Sequence, residues 1–248
     1  MSPAATVSLQ QDIEYLQLAG LFQGIAPDDL LRIVQAARRR QIPAGTFLFH
    51  QGDPAEMIYI PVQGRLKLTQ ITPEGDEVIL RYVGVGEMSG ATAVFGGTAY
   101  PASAQTVAET IVLGWDNETM IQLIGQYPCL GLNILHLLSV RLQELQDRLR
   151  ELSTERVERR IARALLRLVS QLGCKAETGV LIDLQLSRQD LANMTGTTLY
   201  TVSRILSRWE EEGIIETGRE KVLIKHPPRL VVIAEDLPPT VKPPGTRR

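Results

Sequence analysis

Residues 186–224, LSRQDLANMTGTTLYTVSRILSRWEEEGIIETGREKVLI, are the stretch of the chain that decides its fold. Ser187 is followed three residues later by Asp190, which resembles a capping box and predicts that a short helix begins here. Gly196 supplies a tight turn after this helix. The stretch therefore begins with a helix and a turn that lead into a second helix.

The second helix has its own start and stop signals. Thr197 or Thr198 caps its N-terminus, and the helix is predicted to run to about Glu212, where Gly213 ends it. Residues 214–224 carry two short apolar runs around a TGRE turn, which predicts a two-stranded wing. A helix, a turn, a capped helix and a wing in this order indicate a winged helix-turn-helix.

The two faces of the second helix differ in chemistry. With about 100° between successive residues, the apolar side chains share a core face formed by Val202, Ile205, Leu206 and Trp209. The opposite face carries Tyr200, Ser203, Arg204 and Ser207, with Thr201 and Arg208 at its edge. Hydroxyls and arginine suit base edges and phosphates in a major groove. A helix pair of this length is often purely structural, but the turn, the cap and the wing together favour DNA binding.

The segment before this domain is predicted to be helical from about residue 117 to 172. Within it six leucines are spaced by 3, 4, 3, 4 and 3 residues, at Leu135, Leu138, Leu142, Leu145, Leu149 and Leu152. This seam on an otherwise polar helix favours a two-stranded coiled coil and hence a homodimer. The alternative is that the leucines pack on the chain's own sheet. A different apolar pattern restarts at Val157, which predicts a break near residues 153–156.

The N-terminal half follows a different pattern. Residues 10–40 are predicted to form short helices, and residues 41–115 show short apolar alternations between glycine-containing turns. Turns spaced by roughly 8–12 residues are typical of an antiparallel sandwich or barrel. The predicted domains are an N-terminal segment at 1–20, a β domain at 21–128, a dimerisation helix at 129–153, a DNA-binding domain at 154–228 and a tail at 229–248, Pro-rich and disordered from 238.

Composition narrows the class of protein. The 248 residues carry a net charge of −2, but residues 1–125 carry −6 and the remainder +4, which points to nucleic acid as a partner of the second half. Two cysteines, no secretory signal and no apolar run near the roughly 20 residues of a membrane span predict a cytoplasmic protein without membrane contact. No GxSxG, HExxH or P-loop pattern occurs, so no enzymatic activity is expected.

In these features the chain resembles the cAMP receptor protein/FNR (Crp/Fnr) family of bacterial transcription regulators over about residues 20–226. The resemblance rests on AGTFLFHQGDPAEMIYIPVQGRLKL, on GEMSGATAVFG, on the leucine seam and on RQDLANMTGTTLYTVSRILSRWEEEGII. It implies an α+β protein with a cyclic-nucleotide-binding-type jelly roll, a long dimerisation helix and a winged helix-turn-helix. It further implies a homodimer on a palindromic operator, effector-dependent reorientation of the DNA-binding domains and contact with RNA polymerase.

The resemblance also implies an effector pocket, formed by Gly86, Met88, Ser89, Ala91, Tyr100, Pro101, Ser103, Arg141 and Leu145. Members that bind cAMP have a ribose-binding glutamate and a phosphate-binding Arg-Ser pair, where this chain has Ala91 and Tyr100-Pro101. Leu145 stands where those members have an adenine-contacting threonine. Without the guanidinium, a cyclic phosphate loses its strongest charge-assisted hydrogen bonds. We therefore do not expect cAMP to bind.

The resemblance suggests two further effector types, which are an iron–sulfur cluster and haem. An iron–sulfur cluster needs four cysteines, and the chain has only Cys129 and Cys174, so this cluster is excluded. The segment TAYPASAQTVAET is closer to FNR-type and denitrification-type regulators, some of which bind haem. His136 is then the candidate axial ligand. The sequence leaves open the effector, the operator and the choice between activation and repression.

The resemblance assigns roles on the DNA side as well. Ser203 and Arg204 match the family's Ser-Arg pair, and Tyr200 takes the position of a base-reading glutamate. Arg188 and Gln189 match positions that touch the DNA backbone, so phosphate anchoring is expected to be retained while base preference differs. The complete set of predicted DNA contacts is Ser187, Arg188, Gln189, Thr197, Thr198, Tyr200, Thr201, Ser203, Arg204, Ser207, Arg208 and Arg219.

Overall fold

The computed structural model describes residues 12–17, 19–96, 98–182, 184–218 and 221–237. Residues 12–17 are helical and Gly20–Phe22 form a 3-10 turn. The longer helices are α1 (Pro27–Gln35), α2 (Ala91–Gly96), α3 (Asn117–Gln126), α4 (Pro128–Thr154), α5 (Val157–Leu172), α6 (Arg188–Thr195), α7 (Leu199–Glu211) and α8 (Pro227–Glu235). The strands are β1 (Arg38–Ile42), β2 (Phe47–Phe49), β3 (Met57–Gln63), β4 (Leu66–Ile71), β5 (Glu77–Val83), β6 (Ser103–Thr106), β7 (Thr110–Asp116), β8 (Gly173–Ala176), β9 (Gly179–Ile182), β10 (Ile215–Gly218) and β11 (Lys221–Ile224). The chain divides into two compact units, Met1–Gln146 and Asp147–Arg248.

The first unit contains a β domain of two antiparallel sheets, with strand orders β1-β7-β3 and β2-β6-β4-β5. Side chains alternate between the two faces of a strand, so Tyr59 of β3 joins the core between the sheets while Ile58 and Ile60 join a second core under the helices. Both faces of β3 are buried, which explains its nearly unbroken apolar run. The predicted α+β class with an N-terminal jelly-roll-type domain is confirmed.

Helices cover the outer face of the β1-β7-β3 sheet. Trp115 on β7 is buried beneath them, and its Nε1 donates a hydrogen bond of 2.9 Å to the carbonyl oxygen of Ile33 on α1. Leu130 and Ile134, in the first turns of α4, belong to the same core. Leu16 does too and is fully buried, so part of the segment predicted to lie outside the β domain packs into it.

Helix α4 spans 27 residues and leaves most of its leucine seam uncovered. The exposed fraction is 50–67% for five of the six leucines, which are Leu135, Leu142, Leu145, Leu149 and Leu152. Only Leu138 packs against the core of the β domain. The alternative interpretation of the seam, in which it covers the chain's own sheet, is therefore limited to one residue. Between α4 and α5 the helix is interrupted at residues 155–156, inside the interval predicted for a break.

Within the described ranges, no single helix is long and apolar enough to cross a membrane. Helices α3 and α4 meet that criterion only as a pair bent by 114°, and only by length and composition.

The second unit is organised around α5, which buries Ile161, Ala162, Ala164, Leu165, Leu168 and Leu172. Helices α6 and α8 pack against α5, and α7 packs against α6. The sheet of this unit is antiparallel, with strand order β10-β11-β9-β8. Together these elements form a winged helix-turn-helix domain.

Two parts of this unit differ from the sequence prediction. The predicted two-stranded wing is the outer half of a four-stranded sheet, because β9 pairs with β11 and β8 pairs with β9. The predicted domain boundary at residue 228 falls inside α8, whose Leu230 and Ala234 are fully buried. Apolar burial thus extends the folded domain through this helix. The segment 238–248, predicted to be disordered, lies outside the described residues.

Candidate DNA interface and effector pocket

The first helix of the helix-turn-helix, α6, is fixed by reciprocal capping. Ser187 Oγ accepts a hydrogen bond of 3.0 Å from the Asp190 backbone N–H, and Asp190 Oδ2 accepts one of 2.9 Å from the Ser187 N–H. This is the capping box that the sequence predicts. It fixes Arg188 and Gln189 in the first turn of the helix, where Arg188 is half-buried and Gln189 exposed.

The turn between α6 and α7 is tied to the end of α4. Gly196 has a φ of 60°, the left-handed conformation that favours glycine, and a Cβ there would lie 3.1 Å from Leu152 Cδ2. The Arg160 guanidinium donates to the carbonyl oxygens of Thr195 at 3.1 Å, Gly196 at 3.3 Å and Glu155 at 3.2 Å. One side chain therefore joins the turn of the helix-turn-helix to the break between α4 and α5.

Helix α7 is capped at its start and held near its end by a hydrogen bond to α5. Thr198 Oγ1 accepts a hydrogen bond of 3.2 Å from the Thr201 N–H, which makes Thr198 rather than Thr197 the cap. Glu158 on α5 accepts a hydrogen bond of 3.2 Å from Trp209 Nε1. The residues of the predicted core face are all buried, namely Val202, Ile205, Leu206 and Trp209. The orientation of α7 is thus fixed by packing and by a hydrogen bond.

The opposite face of α7 is open to solvent. Tyr200 is 77% exposed. The other exposed or half-exposed residues of this face are Thr201, Ser203, Arg204 and Ser207. No described residue, including Glu211 on the same helix, forms an ion pair with Arg204, so the guanidinium is available to a ligand.

Arg208, predicted to lie at the edge of this face, is engaged within the domain. Its guanidinium pairs with Glu158 of α5 and, at 3.9 Å, with Glu212. The same Glu158 carboxylate also holds Trp209, so this contact fixes α7 on α5. Arg208 thus belongs to the contact between α7 and α5, while its side chain remains 49% exposed.

The wing contacts the end of α7 through Glu210 and lines a cleft with residues from the starts of α6 and α7. Glu210 accepts hydrogen bonds from the Thr217 N–H at 2.7 Å and from its hydroxyl at 2.6 Å, which fixes β10 on α7. A cleft of about 360 Å³ lies here, lined by Leu186, Ser187, Arg188, Gln189, Leu191, Leu199, Leu206, Thr217, Gly218, Lys221 and Val222. Lys221 joins Arg188 as a cation at this cleft. Sequence reasoning missed Lys221, although its place in the wing was a signal, and the predicted Arg219 lies outside the described residues.

In the predicted effector pocket, Tyr100 is built into the β domain. Its ring stacks on Phe49 with centroids 3.8 Å apart, and its hydroxyl donates to the Met57 carbonyl at 2.7 Å and accepts from the Met57 N–H at 3.0 Å. Burial raises the pKa of the Tyr100 phenol, so this group is neutral at physiological pH. An uncharged ring with an engaged hydroxyl therefore stands where cAMP-binding members carry an arginine.

The neighbouring pocket residues offer little to a charged ligand. Ala91 is buried, and Ser103 Oγ already accepts a hydrogen bond of 2.9 Å from the Gln51 N–H. Pro101 is exposed, and its carbonyl accepts a hydrogen bond of 2.8 Å from Gln70 Nε2. None of these three predicted residues supplies a positive charge.

Three further predicted residues lie in the loop between β5 and α2. Gly86 has a φ of 78°, and a Cβ there would come within 2.9 Å of Ala19 Cβ. Met88 packs against the helical core. Ser89 is buried, and within the part of the chain that the structure describes its Oγ has no hydrogen-bond partner.

A charged network that sequence reasoning missed joins this loop to α4. Glu87 pairs with Arg81 at 3.1 Å and with Arg141 at 2.8 Å, and Arg141 also pairs with Glu144 at 2.7 Å. Arg81 further donates to the Met88 carbonyl at 2.9 Å. Burial and the nearby Arg141 lower the pKa of Arg81 to about 10, so it remains cationic at neutral pH. The predicted pocket residue Arg141 is thus already occupied by two carboxylates.

The remaining predicted positions of this region lie on α4. Leu145 is 60% exposed as part of the seam, and His136 is also exposed. Among the described residues, no group of three or more His, Cys, Asp or Glu side chains is arranged to hold a metal ion.

The two units correspond to two known domain families. The cyclic nucleotide-binding domain family matches residues 39–127, and the Crp-like helix-turn-helix domain family matches residues 159–233. The first match covers the β sandwich, and the second runs from α5 into α8.

Known proteins match almost the whole chain. The cyclic AMP receptor protein of Thermus thermophilus is 32% identical over 214 residues, which are 86% of this chain and 96% of that protein. The transcriptional activator protein anr of Pseudomonas aeruginosa is 31% identical over 197 residues, which are 79% of this chain and 80% of that protein. The solved structure of the c-di-GMP responsive global regulator CLP of Xanthomonas campestris gives a TM-score of 0.71 over 80% of this chain and 99% of that one. At 24% identity this last likeness concerns the fold alone.

A nucleotide-binding-type β domain followed by a winged helix-turn-helix defines a class of DNA-binding transcription regulators. This chain belongs to the Crp/Fnr family of that class. The family resemblance seen in the sequence is confirmed. Identities of 32% and 31% to the two relatives do not separate the cAMP-type from the FNR-type branch, so the closer likeness to the FNR type stays a prediction.

Proposed function

We propose that this protein is an effector-controlled homodimer that binds a palindromic DNA operator through the outer face of α7. The observation that carries the proposal is that face. On a helix whose inner side is buried, Tyr200, Arg204 and Ser207 are left to solvent. An α-helix fits the major groove, where hydroxyl and guanidinium groups match base edges and phosphates.

The exposed seam of α4 supports the homodimer. Five leucines with exposed fractions of 50–67% lie along one stripe of this helix. A second copy presents the same stripe, so a two-stranded coil covers the leucines of both chains at once. Such an interface has two-fold symmetry, and a two-fold symmetric regulator reads a DNA sequence that repeats in inverted order.

Selection from randomised DNA duplexes tests this proposal. We expect the protein to enrich an inverted repeat whose half-site centres lie about 10–10.5 base pairs apart, or a multiple of that distance, because this is one turn of DNA. Binding to the selected duplex should weaken by at least about 10-fold between roughly 50 and 200 mM salt, since phosphate contacts release counterions. Enrichment of no sequence, or of a single half-site without its repeat, would contradict the proposal.

We further propose that the effector is not cAMP and that the protein holds no iron–sulfur cluster. The stacked, hydrogen-bonded Tyr100 and the exposed Pro101 support this, because neither can replace a guanidinium opposite a phosphate. The two cysteines of the chain fall short of the four that an iron–sulfur cluster takes. Arg141 already pairs with Glu87 and Glu144, and these two carboxylates offset its positive charge.

Calorimetric titration with cAMP should therefore show no binding at physiological concentrations. The cyclic AMP receptor protein of Thermus thermophilus serves as the positive control in the same buffer. A dissociation constant below about 10 μM, equivalent to roughly −7 kcal/mol, would show that the pocket accepts a cyclic phosphate by another route.

Haem stays an alternative with weaker support. Its candidate ligand, His136, is exposed on α4. A Soret band in protein purified from its native host, altered by His136→Ala, is the result that would favour haem.

As a transcription regulator, the protein is proposed to act on RNA polymerase in the cytoplasm.

A further inference from the structure

Tyr200 is the most exposed large side chain of the DNA-binding domain. It lies in the first turn of α7 with 77% of its surface open. Its neighbour Leu199 is 46% exposed but lines the cleft beside the wing, about 100° away around the helix. Tyr200 contacts no other described residue through a hydrogen bond, an ion pair or ring stacking. A large aromatic ring therefore stands free at the start of this helix.

Tyr200 is placed to contact base edges in the major groove rather than the phosphates beside it. At about 100° per residue, Tyr200 lies within about 40° of Arg204 and about 20° of Ser207, in the middle of the outer face. In a helix-turn-helix the N-terminal residues of the second helix reach the base edges. The cations placed to meet the DNA backbone, Arg188 and Lys221, lie instead at the wing cleft.

The chemistry of this face limits what Tyr200 can recognise. In the first two turns of α7 the outer face holds no carboxylate, so it lacks the side chain that most often accepts a hydrogen bond from cytosine N4. The guanidinium group of Arg204 can donate two hydrogen bonds to one guanine, which selects that base. An aromatic ring instead suits the one apolar group in the major groove, the 5-methyl group of thymine. The ring edge can cover that methyl group while the hydroxyl stays in water.

We propose that Tyr200 determines specificity by packing its ring on a thymine methyl group at one A·T pair in each half-site. The inference rests on the proposed function, since it requires α7 to lie in the major groove. It adds a base preference that neither the fold nor the family membership supplies. The contact needs the ring and not the hydroxyl.

Two parallel selections test the proposal, and neither requires that the operator be identified first. One randomised duplex library is amplified with dTTP and the other with dUTP, so that the two differ only in the thymine methyl group. Wild-type protein should enrich an A·T pair at one position per half-site from the first library and lose that preference in the second. The loss should be about 4-fold per half-site, the value for one buried methyl group.

Two variants test whether the contact needs the ring of Tyr200 or its hydroxyl group. Tyr200→Phe should keep the A·T preference, whereas Tyr200→Ala should show none in either library while retaining the other enriched positions. The exposure of Tyr200 makes both variants compatible with folding. The proposal is overturned if the wild-type preference survives in the dUTP library, or if Tyr200→Phe loses binding to all sequences alike, as a phosphate contact would. Failure to enrich any sequence with dTTP would instead overturn the proposed function itself.

Discussion

Replacing both Leu142 and Leu149 by Lys is expected to convert the protein into monomers at micromolar concentration. A dimer of this variant would force four ammonium groups against an apolar seam. Dimerisation can bury only the exposed 57% and 67% of these leucines, which gives up at least about 1 kcal/mol each, so it should weaken by at least about 3.5 kcal/mol, or about 2.5 decades in dissociation constant. Analytical ultracentrifugation measures the change directly.

The choice of these two leucines keeps the fold intact. Leu142 and Leu149 are 57% and 67% exposed in the single chain, so Lys at either site costs little within it. Leu138 and Leu152 are avoided because they contact the β-domain core and the Gly196 turn.

A matched control adds the same charge elsewhere on the helix. Val140 and Gln143 are also exposed but lie off the seam, so their double replacement by Lys should leave the dimer unchanged. If the seam variant sediments as a dimer with an unchanged melting temperature, the seam is not the interface. Monomers from the control as well would mean that charge alone drives dissociation.

Arg204→Ala is expected to abolish preference at one G·C pair in each half-site. Arg204 lies on the face opposite Trp209, and its guanidinium has no partner among the described residues. A guanidinium fork can donate two hydrogen bonds to guanine O6 and N7. Loss of this contact should cost about 1–3 kcal/mol per half-site, or about 2–6 kcal/mol for a dimer on two half-sites.

The comparison variant is Arg188→Ala. Arg188 lies in the capped first turn of α6 at the wing cleft, where a backbone phosphate is the expected partner. Its removal should lower the affinity for all DNA sequences by the same factor, and it should reduce the salt dependence of binding by about one counterion per site. The base-reading role of Arg204 is refuted if Arg204→Ala retains the wild-type sequence preference and merely binds more weakly.

Structural features that depend only on residues close together in the sequence could be predicted from it. The capping box of Ser187 and Asp190 spans three residues, and the core face of α7 follows from helical periodicity alone. The exposed seam of α4 follows from the same kind of repeat. Each of these patterns lies within one helix, so distant partners have no part in it.

Features set by distant partners could not be predicted. Arg208 belongs by periodicity to the edge of the DNA-facing side, yet Glu158, 50 residues earlier, pairs with it. Glu87 stands in a quoted motif, but its partner Arg141 follows 54 residues later. Strand β9 likewise needs β11 to complete its ladder. Pairings of this kind depend on the tertiary fold, which local spacing does not encode.

The Arg160 side chain acts as a clamp, because it joins two parts of the second unit through several hydrogen bonds. Its guanidinium reaches the carbonyl of Glu155 just after α4 and those of Thr195 and Gly196 in the helix-turn-helix. Because this clamp makes several hydrogen bonds, we expect the last turn of α4 and the helix-turn-helix, with Tyr200 on its reading face, to move together. This joint therefore keeps the reading face in a fixed orientation to the last turn of α4.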